Sequence, residues 1–257
     1  MKPLWRWLAL AALALLALQL FFLARIALML WLDPQSTAFQ RSEAWRLNTT
    51  ASASDKGAAR AAGKPAPWQQ QWVAYAAISD HLKRAVISSE DGEFALHDGV
   101  DWDALEKAWQ KNSKAQEQAA RQGNASAAKS GKRPPKVVGG STITQQLAKN
   151  LFLSGERTLL RKGQEFVLTF MLEALLGKQR ILEIYLNNVE WGSGVFGAEA
   201  AARHYFHKPA SELSAAEAAR LAVMLPRPKY FEKLPNSDYL ASRAAVIAAR
   251  MGSAELP

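Results

Sequence analysis

The sequence predicts a mostly α-helical protein with one membrane-spanning helix at its amino end. Three observations carry that expectation: a long apolar run near the start, apolar residues recurring at helical spacing through the rest, and a near absence of alternating strand patterns. The 257 residues contain no cysteine, which excludes a disulfide framework, a cysteine-ligated metal centre and a thiol nucleophile. With 32 Lys+Arg against 23 Asp+Glu the net charge is +9, so an anionic partner is expected: nucleic acid, an anionic membrane surface or a phosphorylated substrate.

The first element is the apolar run. Residues 7–24 read WLALAALALLALQLFFLA, with Gln19 the one strongly polar side chain, and residues 26–32 continue it after Arg25. A helix needs about 20 apolar residues to cross the hydrocarbon of a bilayer, whereas the apolar part of a cleaved secretory signal is about 7–15 long. Residues 1–32 are therefore expected to be a cytoplasmic tip and a membrane anchor. Lys2 and Arg6 precede the run and favour a cytoplasmic amino end. Arg25 is expected to snorkel to the outer interface, with residues 26–32 lying shallowly at the membrane surface.

Residues 33–71 turn to Ala, Ser, Thr, Asn, Gln and Pro, a composition that buries too little to order itself, and are expected to be a flexible tether. An ordered domain is expected over 72–257. Leu82, Val86 and Ile87 share one helical face, and Trp102, Leu105 and Trp109 another, with Asp101 a candidate cap. Further helices are expected over 141–153, 158–176, 180–187, 199–206 and 214–225, the last opened by the capping-box pattern Ser214-Ala215-Ala216-Glu217. Between them, residues 110–137 form a low-complexity run rich in Lys and Arg, read as a solvated loop or as a mobile basic flap.

Chemistry is densest from Gly139, in GGSTITQQLAKN. If Ser141 caps this helix, Thr142, Gln145, Gln146 and Lys149 share a face of amides, a hydroxyl and a cation, suited to sugar hydroxyls or phosphate oxygens. Arg157 follows, and Arg161 and Glu165 stand one helical turn apart. Upstream, Glu90, Asp91, Glu93 and His97 gather around a glycine-punctuated turn.

The strings SSEDGEFALHDGVDW at 88–102, GGSTITQQLAKNLFL at 139–153, RKGQE at 161–165, ILEIYLN at 181–187 and GVFGAEAAARHYF at 194–206 resemble, in order, the five motifs of the peptidoglycan glycosyltransferase family. The resemblance implies a lysozyme-like, two-lobed helical domain that polymerises lipid II into β-1,4-linked glycan with inversion, releasing undecaprenyl diphosphate. By the same resemblance Glu90 matches the general base and Glu165 a second carboxylate on the diphosphate side. Lys149 and Arg157 match cations that stabilise the leaving group, Ser141, Thr142, Gln145 and Gln146 a donor-site wall, and Arg161 and Lys162 the basic pair of the third motif. Glu183 and Asn187 fall in the fourth motif, Glu183 in a structural role.

The resemblance allows a divalent cation, Mg or Mn, beside Glu165 and implies no organic cofactor. It implies lipid II, nascent glycan and membrane lipids as partners, with transpeptidases or division proteins nearby. Nucleic acid is excluded for want of a recognition motif. The expected location is the bacterial cytoplasmic membrane, single-pass, with the domain on the periplasmic side. Two features depart from the family pattern: the basic insertion at 110–137, and a tail after Pro235 to which no role is assigned. A glycan hydrolase and a non-catalytic scaffold are the competing readings.

Overall fold

The computed structural model describes residues 2–50, 68–125, 139–156 and 158–257. Helix α1, Lys2–Leu28, has apolar side chains all round, and Leu4–Leu28 is long and apolar enough to cross a membrane. Most of it touches no other described part of the protein: Leu13, Leu15 and Leu16 are all more than half exposed. Its carboxyl end behaves differently from expectation. The helix runs straight through Arg25, and Ile26 and Met29 are buried in the core of the following domain instead of lying at a membrane surface. Arg25 packs its guanidinium over the rings of Phe21 and Phe152, at 5.8 and 5.4 Å from their centroids.

The expected tether is overturned in its first part. Residues 38–50 form helix α2, Ala38–Thr50. Thr37 and Gln40 cap its start reciprocally: the Gln40 backbone N–H donates to Thr37 Oγ1 at 3.0 Å and the Thr37 N–H to Gln40 Oε1 at 2.9 Å. Both side chains are fully buried, and Gln40 Nε2 also donates to the Asn188 carbonyl. A polar composition concealed a capping box of the Thr-x-x-Gln kind. Residues 51–67 lie outside the described part.

The domain is built from α3 (Asp80–Glu90), α4 (Trp102–Ala125), α5 (Ile143–Phe152), α6 (Leu159–Leu175), α7 (Lys178–Asn188), α8 (Ala198–Phe206), α9 (Ala215–Met224), α10 (Pro228–Phe231) and α11 (Asp238–Arg250). Three short strands, β1 (Gln69–Gln70), β2 (Glu190–Gly192) and β3 (Val195–Phe196), pair in the order β1-β3-β2, β1 parallel and β2 antiparallel to β3. The tightest packing falls into two sets: α3, α9 and α11 against one another, and α5 against α6, α7 and α2, with α1 on α6. The tail after Pro235 is thus a core element, with Leu240 and Ile247 of α11 buried.

Helix α4 corrects two expectations. Asp101 caps it, accepting from the Ala104 N–H at 2.7 Å, but the helix continues through residue 125, so the first half of the basic run is helical rather than loop. Residues 126–138 lie outside the described part. Trp102 and Trp109 are exposed, and the face turned inward is carried by Leu105 and Ala108, closely approached by Gly140. Trp102 instead stacks nearly parallel on Phe166 at 6.2 Å.

Candidate active site

Helix α3 starts at Ser79, whose Oγ accepts from the His81 N–H, buries Leu82, Ala85, Val86 and Ile87, and delivers Glu90 at its last turn. The next residue holds that end in place. Asp91 Oδ2 accepts from the Ile143 N–H at 2.9 Å at the start of α5, while Oδ1 pairs with His97 Nε2 at 2.8 Å. Burial pushes His97 down, but the Asp91 carboxylate outweighs it and the imidazole sits above its ordinary value. Gly99 closes the turn at φ 84°, where a β-carbon would meet Glu173 and Thr169 side chains at 2.7 Å, and its carbonyl accepts from Thr142 Oγ1 at 2.6 Å.

Thr142, and not Ser141, is the cap of α5. Its Oγ1 accepts from the Gln145 N–H while Gln145 Oε1 accepts from the Thr142 N–H, a complete capping box. Thr142 is therefore a buried cap, and it is not among the residues that line the cleft. Gln145 is buried too, yet it borders the cleft, and its Nε2 has no hydrogen-bond partner among the described residues. Gln146 Nε2 donates to Glu90 Oε2 at 3.0 Å, and its Oε1 accepts from Tyr185 Oη at 2.9 Å, which fixes the orientation of the amide. The tyrosine, in the fourth motif, was not singled out from sequence; its signal is only its place in ILEIYLN.

Burial raises the Glu90 carboxyl above its ordinary value, opposed by the Gln146 and Ser89 hydrogen bonds and by the charge of Lys149. Half-buried at the edge of the site, Glu90 is linked through Gln146 to a cleft of about 920 Å³. Ser141, Gln145, Gln146 and Lys149 line one part of it; Arg161, Lys162 and Glu165 line another. Glu165 is buried, one oxygen accepting from Arg161 at 2.9 Å and the other from Lys162. Arg161 Nε is buried with no partner among the described residues. Arg157 lies outside the described part.

The donor set argues against a resident divalent ion at Glu165. Both of its oxygens are already committed to cations that would repel a second positive centre, and among the described residues no group of three His, Asp or Glu side chains could hold a metal. Glu183 is structural, accepting from the Tyr75 N–H and from Arg180, and Asn187 exchanges two hydrogen bonds with Val73. A shallower depression of about 540 Å³ bordered by Asp80, His81 and Glu212 contains none of the motif residues.

One cluster in the cleft was missed entirely. Glu43 of α2 and Glu190 of β2 both line it, and Lys229 Nζ stands between them, 2.6 Å from Glu43 Oε2 and 3.0 Å from Glu190 Oε1. Burial raises Glu190 to about 7, helped by the charge of Glu43 and opposed by Lys229. Burial also pushes Glu43 up, but Lys229 and Arg46 outweigh it and its carboxyl lies below the ordinary value.

Residues 58–252 match the family described as Transglycosylase. The chain belongs to the transglycosylase family. It is 52% identical to the biosynthetic peptidoglycan transglycosylase of Burkholderia thailandensis, over 98% of this chain and 88% of the relative. The likeness to the proteins of that name from Burkholderia orbicola and Burkholderia lata is 52% and 53%, each over 95% of this chain and 87% of the relative. The transglycosylase match takes in the five motifs, and hence Glu90, the polar face of α5 and the Arg161–Lys162–Glu165 cluster; α1 and α2 precede it.

Proposed function

We propose that this transglycosylase is a membrane-anchored peptidoglycan glycosyltransferase that polymerises lipid II in cell-wall biosynthesis. The observation that carries the reading is the joining, through Gln146, of a carboxylate raised in pKa to a cleft lined by Lys149, Arg161 and Lys162. A raised carboxyl is a better proton acceptor once ionised, and fixed cations stabilise a leaving diphosphate. Glu90 takes the proton from the acceptor's GlcNAc 4-hydroxyl. The oxygen attacks the anomeric carbon of the donor MurNAc from the face opposite the diphosphate, a β-1,4 bond forms, and the carbon–oxygen bond to the diphosphate breaks with its electron pair leaving on undecaprenyl diphosphate.

Arg161, held by Glu165, and Lys149 face the oxygens on which that charge develops. Gln145 borders the same part of the cleft, on the helix that carries Lys149. Glu165 acts by orienting Arg161 and Lys162, and no step runs through a metal. A hydrolase has no use for three cations at its leaving group, which favours transfer from a diphosphate over cleavage of finished glycan.

The short basic end, Lys2 and Arg6, remains in the cytoplasm and the domain works at the outer face of the cytoplasmic membrane, where α1 holds it beside its lipid substrate. Its product strand is not cross-linked, so transpeptidases are the proteins expected nearby. Purified full-length protein given labelled lipid II is expected to yield polymer and free lipid diphosphate. Release of fragments from finished peptidoglycan with no polymer would reject the reading in favour of a hydrolase.

A further inference from the structure

Part of the cleft is built by residues that lie before the family match. Phe39, Ser42 and Glu43 of α2 line it together with the α5 residues and Glu190. The helix that presents them is fastened well beyond what its composition suggests. At its start are the buried Thr37–Gln40 box and the bond from Gln40 to the Asn188 carbonyl. Phe39 meets Phe196 of β3 edge-on at 6.4 Å, and α2 packs along α5. One turn further on, Glu43 Oε2 accepts from Arg46 at 2.8 Å and from Lys229, which also contacts Glu190 of β2.

The two sides of the cleft differ in chemistry. Lys149, Arg161 and Lys162 offer positive donors, whereas α2 and β2 offer a hydroxyl, an aromatic ring and two carboxyl groups already paired with Lys229. Phosphate oxygens are repelled by carboxylates and held by cations; sugar hydroxyls donate to carboxylates, and the apolar face of a sugar ring packs on apolar side chains. We infer that α2 is a wall of the substrate site that binds the saccharide part of the lipid-linked substrate through Ser42 and Glu43, with Lys229 as the positioning residue that ties this wall to β2. The inference rests on the proposed function for the identity of the substrate.

The absence of cysteine allows a direct test. Ser42→Cys places a single thiol in the chain, to which a benzophenone maleimide is attached; Ser242→Cys on the exposed side of α11 serves as the control position. With labelled lipid II as probe, light is expected to couple label to the protein from position 42 but not from 242, and unlabelled lipid II is expected to compete. In parallel, Lys229→Met is expected to raise KM for lipid II about fivefold with kcat retained, and Lys229→Arg to restore it.

Coupling from position 42 no stronger than from 242, or a Lys229→Met protein with unchanged KM, would overturn the inference. Cross-linking is read without turnover. A chain that never polymerises lipid II would therefore defeat the proposed function, while a chain that polymerises but does not cross-link from position 42 defeats only the role of α2.

Discussion

Glu90 receives one hydrogen bond from Gln146, and Gln146 is itself held by the hydroxyl of Tyr185. That short chain sets both the position and the charge of the proton acceptor. Burial raises the Glu90 carboxyl, and the Gln146 N–H, which stabilises the ionised form, limits the rise. The sign for activity follows from this: the base works ionised, so turnover falls as pH drops through the Glu90 value. Removing the donor with Gln146→Leu raises that value further and is expected to move the acid limb of the pH–kcat profile to higher pH, with partial recovery of rate on the alkaline side. Tyr185→Phe, which frees the amide to turn, is expected to act in the same direction with smaller effect. Rate profiles of the three proteins from pH 5 to pH 9 (on the order of the range where His and shifted carboxylates titrate) decide it, and superimposable acid limbs would contradict the assignment.

At the level of elements, α5 shows how far sequence reading reaches. Periodicity placed Thr142, Gln145, Gln146 and Lys149 on one face, but it could not tell a cap from a ligand contact, because Ser141 and Thr142 are both good capping residues one position apart. The structure resolves this by satisfying Thr142 twice, with the Gln145 N–H and the Gly99 carbonyl. Thr142→Ala is therefore expected to lower stability by about 1–2 kcal/mol. It should leave KM for lipid II unchanged in the folded protein, while Thr142→Ser recovers most of the loss; thermal unfolding beside steady-state kinetics separates the two effects.

The elements that eluded the sequence share a cause. Helix α2 and the outer half of α4 carry few apolar residues at helical spacing, so hydropathy is silent about them, and only local capping residues such as Thr37 and Gln40 or Asp101 mark them. Trp102 and Trp109 misled in the opposite direction, since large apolar rings suggest an inward face whereas here Ala108 faces inward and the rings remain outside. The Lys229–Glu43–Glu190 cluster joins residues far apart in sequence, and no spacing rule could have found it.

On the scale of the whole molecule, span and domain form one body. Gln19, the polar residue of the apolar run, exchanges two hydrogen bonds with Gln164 of α6, at 2.9 and 3.1 Å. At about 1.5 Å per residue, Gln19 lies about 13 Å along α1 from Leu28, so α6 runs alongside α1 well back from its carboxyl end. Leu159 and Leu160, 93% and 87% exposed, stand at the start of α6 about one turn before Gln164. Arg180 fastens the other end, bonding the Met29 carbonyl and Asp33. An unpaired amide beside hydrocarbon is costly, so Gln19→Leu is expected to weaken the docking of α1 on α6 by about 1 kcal/mol. Cysteines introduced at Leu23 and Val167, the only thiols then present, should be bridged less readily by a short bifunctional reagent in that background; equal bridging with and without Gln19 would contradict it.

The reading of the molecule as a polymerase turns on Glu90 as the group that removes the acceptor proton. The most direct measurement compares polymerisation of labelled lipid II by the full-length protein and by its Glu90→Gln variant, with folding of both checked by thermal unfolding. A folded variant that binds lipid II yet forms no glycan chain is the result expected from a base reduced to a neutral amide of the same shape. Glycan chains formed by that variant at the unmodified rate would contradict the account.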